Sequence, residues 1–133
     1  MAERKTPQKL DGVRRFDVAA ATTCEKGLLA MLDASGDCEP GATATGKTAA
    51  GRFEETVDNS GGAAGDKKID VKAGIFRWAN SSGDPIDASH VGGTAYIEDS
   101  QTVSATNGGS TQSAAGRIVD VDSDGVWVAT GVP

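Results

Sequence analysis

Residues 41–48, Gly41-Ala42-Thr43-Ala44-Thr45-Gly46-Lys47-Thr48, have the spacing of a phosphate-binding loop. Such a loop works because a buried strand delivers it and a helix follows it, with the helix N-terminal amides holding the phosphates. Here the preceding residues, Gly36-Asp37-Cys38-Glu39-Pro40, are turn formers, and Ala49-Ala50-Gly51-Arg52 leads towards a strand. The match is therefore read as coincidental. Asp120, Asp122, Asp124 and Gly125 match the opening of a calcium loop, but the position that needs a bidentate acid is Gly131. His90 is the sole histidine, so neither a histidine-based metal site nor a Ser-His-Asp triad is easily built. The pairs Glu54-Glu55 and Glu98-Asp99 could serve glycoside hydrolysis, yet neighbours in a strand point to opposite faces. Trp78 and Trp127 could stack a sugar; in a chain with six aromatics they are read as core or interface residues. The expectation is a chain with no catalytic residue, no cofactor and no metal.

The elements that would position these groups are strands. Glycine is abundant (18 residues), and Ala, Thr, Val and Asp dominate, which suits short strands joined by Gly/Asn/Asp/Ser turns. The clearest element is a C-terminal hairpin over residues 113–130. Setting Val121 opposite Val126 leaves Asp122-Ser123-Asp124-Gly125 as a four-residue loop, with Gly125 free to take positive φ. Val119 then faces Val128 and Arg117 faces Thr130. One face carries Val119, Val121, Val126 and Val128; the other carries Ile118, Asp120, Trp127 and Ala129 and must bury Trp127 against a further layer or a partner.

Residues 27–32 form the most apolar run and read as a buried strand rather than a helix. Residues 68–79 read as a strand with Ile69, Val71, Ala73 and Ile75 on one face and Phe76 and Trp78 on the other, and Gly74 sits where the apolar face switches, the expected place for a bulge or bend. Residues 94–97 and 101–105 read as a strand pair, residues 43–57 as an extended segment, and residues 58–66 as a loop. The count is about seven or eight short strands with no convincing helix.

At 133 residues the chain is one domain, and its formal charge of −6 argues against a nucleic-acid partner. No apolar run approaches the ~18 residues of a membrane helix. The start, Met1-Ala2-Glu3-Arg4-Lys5, has no export-signal pattern, so Cys24 and Cys38 are expected reduced and partly buried. Residues 1–20 carry a net charge of +2 against −8 for the remainder. This divides the chain into a flexible N-terminal arm, 1–20, and a β body, 21–133, although residues 12–18 alternate weakly enough to form a first strand. The interface candidates on the arm are Leu10, Val13 and Phe16 as apolar anchors with Arg14 and Arg15 as charges; on the body the candidate is Trp127.

From residue 43 to 128 the chain resembles a family of small tailed-bacteriophage head proteins, the capsid decoration or cement proteins. Four stretches carry the resemblance. The first is Gly51-Arg52-Phe53-Glu54-Glu55-Thr56-Val57-Asp58-Asn59-Ser60-Gly61-Gly62, and the second Gly74-Ile75-Phe76-Arg77-Trp78-Ala79-Asn80-Ser81. The third, Ala95-Tyr96-Ile97-Glu98-Asp99-Ser100-Gln101-Thr102-Val103, departs from the family at Ser100, where a second acid is expected. The fourth and most distinctive is Ser113-Ala114-Ala115-Gly116-Arg117-Ile118-Val119-Asp120-Val121-Asp122-Ser123-Asp124-Gly125-Val126-Trp127-Val128. The resemblance implies an all-β, β-barrel or β-tulip body without catalytic residues, made in the host cytoplasm. It would sit on the exterior of the virion, with the major capsid protein and itself, as a homotrimer, for partners. A tail or fibre component is the alternative, and a carbohydrate-binding module a third reading.

Overall fold

The computed structural model describes residues 2–6 and 12–132 of the chain. Its regular secondary structure is all β apart from one 3-10 turn, Ala88–His90. Twelve strands are formed: β1 Val13–Asp17, β2 Thr22–Cys24, β3 Leu29–Leu32, β4 Cys38–Pro40, β5 Thr48–Phe53, β6 Val57–Asn59, β7 Lys68–Lys72, β8 Gly74–Asn80, β9 Thr94–Ile97, β10 Thr102–Ser104, β11 Ala114–Asp122 and β12 Gly125–Thr130. The excess over the expected seven or eight comes from the division of residues 68–79 into β7 and β8 and from β2, β4 and β6. These last three have only three residues each, too few for a period of two to show.

Five strands close a barrel in the order β10-β8-β12-β11-β9, and five others form an antiparallel sheet, β1-β7-β5-β3-β4. A small ribbon, β2-β6, completes the fold. Closure removes the open edges that an exposed sheet presents. The chain passes from sheet to barrel at Ala73, between β7 and β8. There the inward side changes: Ile69 and Val71 are buried before it and Trp78 after it, so Ile75, expected to share the apolar face of Ile69 and Val71, lies outward instead. The face switch expected at Gly74 is this passage.

Each unit has its own core. The barrel encloses Trp78, Ile97, Val103, Ile118, Val126 and Val128, and the sheet covers Val18, Cys24, Cys38, Phe53, Ile69 and Val71. The strand β3 serves both, sending Leu29 and Met31 to the barrel core and Ala30 to the sheet core. A strand buried on both faces reads as an unbroken apolar run, which is why residues 27–32 showed no alternation.

Residues 13–20 belong to the body, not to an arm. All five residues of β1 pair with β7, and Val18, wholly buried, bridges Cys38 on β4. The weak alternation over 12–18 marks this strand, which is half-covered on its inner side. Residues 2–6 are exposed and lie in neither strand nor helix.

The C-terminal hairpin forms with Val121 opposite Val126, as read from the sequence, but Asp122 also pairs with Gly125, so the loop is Ser123-Asp124 alone. Beyond Asp120 the register slips by one. Val119 is the extra residue of a bulge, Ile118 faces Val128, and Arg117 faces Ala129 rather than Thr130. The expected valine face is therefore corrected: Ile118, not Val119, joins Val126 and Val128 in the core, and Val121 sits half-buried at its rim. Gly125 has φ +154°, and a Cβ there would lie 2.4 Å from the Trp78 carbonyl oxygen. No other residue fits this turn.

Candidate functional site

The motifs with chemical spacing are absorbed by the fold. The loop at 41–47 joins β4 to β5, and Thr48 opens a strand where a phosphate-binding loop would open a helix. Lys47 reaches Glu39 at 2.6 Å, and its amide donates to the Ser113 hydroxyl, which itself donates to the Ala44 carbonyl at 2.7 Å. The loop is thus pinned to the barrel. In the hairpin, one Asp122 oxygen accepts from the Asp124 and Gly125 amides and the other accepts from Trp127 Nε1 at 3.0 Å. The indole, followed by the amides, holds this carboxyl below the usual carboxylate range. Among the described residues no group of three or more His, Cys, Asp or Glu is arranged to hold a metal ion.

His90 caps the 3-10 turn, its Nδ1 accepting from the Asp87 amide. Glu54 pairs with Arg52, Glu98 accepts from Ser81, and Asp99 accepts from the Gln101 amide. Cys24 and Cys38 are unbonded and fully buried in the sheet core. Burial pushes their thiols up to about 11 and about 12, so both are protonated at neutral pH and poor nucleophiles.

The interface candidates do not meet at one place. Leu10 lies outside the described residues. Val13, Arg14, Arg15 and Phe16 form β1. Phe16 is half-buried against the sheet core beneath the Arg14 guanidinium, 5.1 Å from its ring. Arg14 also donates to the Ala50 carbonyl, and Arg15 pairs with Asp70. These side chains fasten β1 to the body; they are not anchors on a free arm. Trp127 is different. It lies half-buried on the outer barrel wall, with the Arg77 guanidinium 5.6 Å from its ring.

Trp127 lines an open cleft of about 600 Å³ at the seam between barrel and sheet, with Gly27, Arg52, Lys72, Ile75, Phe76 and Arg77. The strand β8 supplies Ile75, Phe76 and Arg77, and β12 supplies Trp127, directly opposite Arg77. Arg52 on β5 stands directly opposite Lys72 on β7, and its guanidinium lies 4.5 Å from the Phe76 ring. Such stacking contributes about 0.5–1 kcal/mol at an exposed site. Ile75 is 53% exposed, the most exposed large hydrophobic residue among those described. The lining holds three cations and no acid, in a chain of net charge −6.

Of this cleft, sequence reasoning singled out only Trp127. The one available signal for the others was the face switch at Gly74, which turns Ile75 and Arg77 outward. Arg52 comes from a segment with no local mark. The chain matches no protein-family model, no curated protein and no solved structure.

Proposed function

We propose that this chain is a non-enzymatic virion protein that binds the outer surface of an assembled phage capsid and stabilises it. The observation that carries the reading is where three of the four family-like stretches fall; the other, residues 51–62, lies in β5, β6 and the turns beside them. Residues 74–81, 95–103 and 113–128 make up nearly all of β8, β9, β10, β11 and β12, which together are the closed barrel. Most of the resemblance thus follows one structural unit, the barrel. A barrel without open edges associates through side-chain faces, and a small body repeated over a symmetric shell gains large total stabilisation from individually weak contacts. In this reading the partners are the major capsid protein and further copies of the chain, arranged as a homotrimer at a capsomer junction.

The test is co-sedimentation of purified protein with undecorated heads of the cognate phage, followed by imaging of the decorated shells. Saturable occupancy at symmetry-related positions and a raised melting temperature of the heads are expected. Heads that pellet without the protein at any concentration would refute the reading.

A further inference from the structure

We propose that Asn107 is a site of spontaneous covalent modification, at which the Gly108 amide nitrogen closes a succinimide ring on the Asn107 side chain and water opens it to aspartate or isoaspartate. The bond from the Gly108 nitrogen to Asn107 Cγ forms as the Cγ–Nδ2 bond breaks. Ammonia leaves, and its third proton balances the one that the Gly108 amide gives up. Water then adds to either ring carbonyl. Nothing is oxidised or reduced, and water is the only co-reactant. The lasting change is a carboxylate in place of an amide and, in the isoaspartyl product, an extra carbon in the main chain. Nothing in this chemistry depends on the capsid reading.

The chain has three asparagines, and the fold treats them differently. Asn59 is 2% exposed, and its Nδ2 donates to the Val18, Ala19 and Ala63 carbonyls. Asn80 is held at both ends, Oδ1 accepting from the Ile86 amide at 2.8 Å and Nδ2 donating to the Ile86 carbonyl at 2.7 Å. Each is followed by a serine whose amide is itself bonded, Ser60 to Asp58 and Ser81 to the Val103 carbonyl. Asn107 alone precedes a glycine. Its Nδ2 makes no hydrogen bond among the described residues, so the leaving group is free. The Gly108 amide has only a 3.4 Å contact to Thr106 Oγ1, longer than an ordinary hydrogen bond, and no side chain of its own shields it.

The turn adds two features that favour ring closure. The Ser110 amide donates to Asn107 Oδ1 at 3.0 Å. Negative charge develops on that oxygen as the nitrogen adds to Cγ, and a donor already aimed at it stabilises the charge. The turn is also strained. Gly108, Gly109 and Ser110 follow one another at φ of +64°, +74° and +71°, and Ser110 is one of only two non-glycine residues at positive φ among those described. The turn hangs on the Asn107 carbonyl, which accepts from the Thr111 and Gln112 amides. Gln112 Nε2 in turn donates to the Ile97 carbonyl and to Ser104 Oγ, tying β9 to β10. A longer main chain at Asn107 therefore loosens this end of the barrel.

The test is to age the ¹⁵N-labelled full-length chain in neutral buffer beside a synthetic peptide of residues 102–112. Ion exchange reads the added charge, and proteolytic mapping by mass spectrometry locates it. In the native chain Asn107 alone should convert, at least as fast as in the peptide, while Asn59 and Asn80 stay intact. Asn107→Gln, whose ring is larger and closes more slowly, should lose the acidic species. The Gln112 side-chain amide resonances should shift in the aged wild type and stay in place in the aged variant. Slower conversion in the native chain than in the peptide would overturn the proposal, because the fold would then protect the site. Conversion of Asn59 or Asn80 at the same rate as Asn107, or an acidic species that forms equally in Asn107→Gln, would overturn it too. If the variant does not fold, the mapping of the wild-type chain decides alone.

Discussion

Ile118→Ala and Val119→Ala, made separately, test the bulge in the last hairpin. Ile118 is 1% exposed among Val126, Val128 and Ile97, whereas Val119 is the extra, half-buried residue of the bulge. Truncating Ile118 removes three carbons from a closed core. At about 0.8 kcal/mol per buried methylene plus a cavity contribution, the loss is about 3–4 kcal/mol. Truncating Val119 removes two carbons that are already half in water, and costs about 1 kcal/mol or less. With an unfolding entropy of about 2.1 cal/mol/K per residue over 133 residues, these become drops in melting temperature of ~12 °C and at most ~4 °C. Urea denaturation followed by tryptophan fluorescence, with thermal melts by circular dichroism, measures both. The denaturant slope should match wild type in each variant. If Val119→Ala costs as much as Ile118→Ala, the strand runs with uninterrupted alternation and the bulge is wrongly placed.

Thr130→Val keeps the shape of a fully buried side chain but leaves the Trp78 indole N–H, 3.0 Å from the Thr130 hydroxyl, without its acceptor. A loss of about 1–3 kcal/mol in urea unfolding is expected, and a variant within 0.5 kcal/mol of wild type would contradict the hydrogen bond. Gly125→Ala should destabilise far more than Gly36→Ala. Both glycines have positive φ, but only at Gly125 does the added carbon meet a backbone oxygen, while Gly36 faces open space; equal melting temperatures would refute the turn geometry. Cys24 and Cys38 should resist iodoacetamide in the native protein and react fully in denaturant. Their folded-state values, raised to about 11 and about 12 from an ordinary 9.0, make the neutral thiols' contribution fully present below pH 9 and lost as pH rises towards 12. A Cys24→Ala, Cys38→Ala variant should therefore lose less stability than wild type over that window, and parallel pH profiles would contradict the burial.

How much of this molecule was legible in its sequence depended on how local each decision was. The turn at Gly125, the pairing of Val121 with Val126, the face switch at Gly74 and the strand pair at 94–105 rest on residues within a few positions of one another. Period-two alternation and turn chemistry are enough to specify them. The bulge at Val119 was hidden because one inserted residue leaves the pattern of valines intact while moving them to another face. The strand β1 looked like part of an arm because its five residues are only half-covered, and its partner β7 lies far along the chain.

The candidate site was harder still. Trp127 stood out by residue type alone, but Ile75 was grouped with Ile69 and Val71, and only the bend between sheet and barrel turned it outward. Arg52 and Lys72 carried no such mark, since a cation in a short strand reads as ordinary surface. From its sequence alone this protein was determined to be all-β, with a closed C-terminal hairpin and an apolar strand at 27–32. Tertiary structure alone decided that β3 would join two cores, and that β5, β7, β8 and β12 would bring three cations and two aromatic rings to one seam. Alternation specifies which way a side chain faces, but long-range pairing decides what it faces.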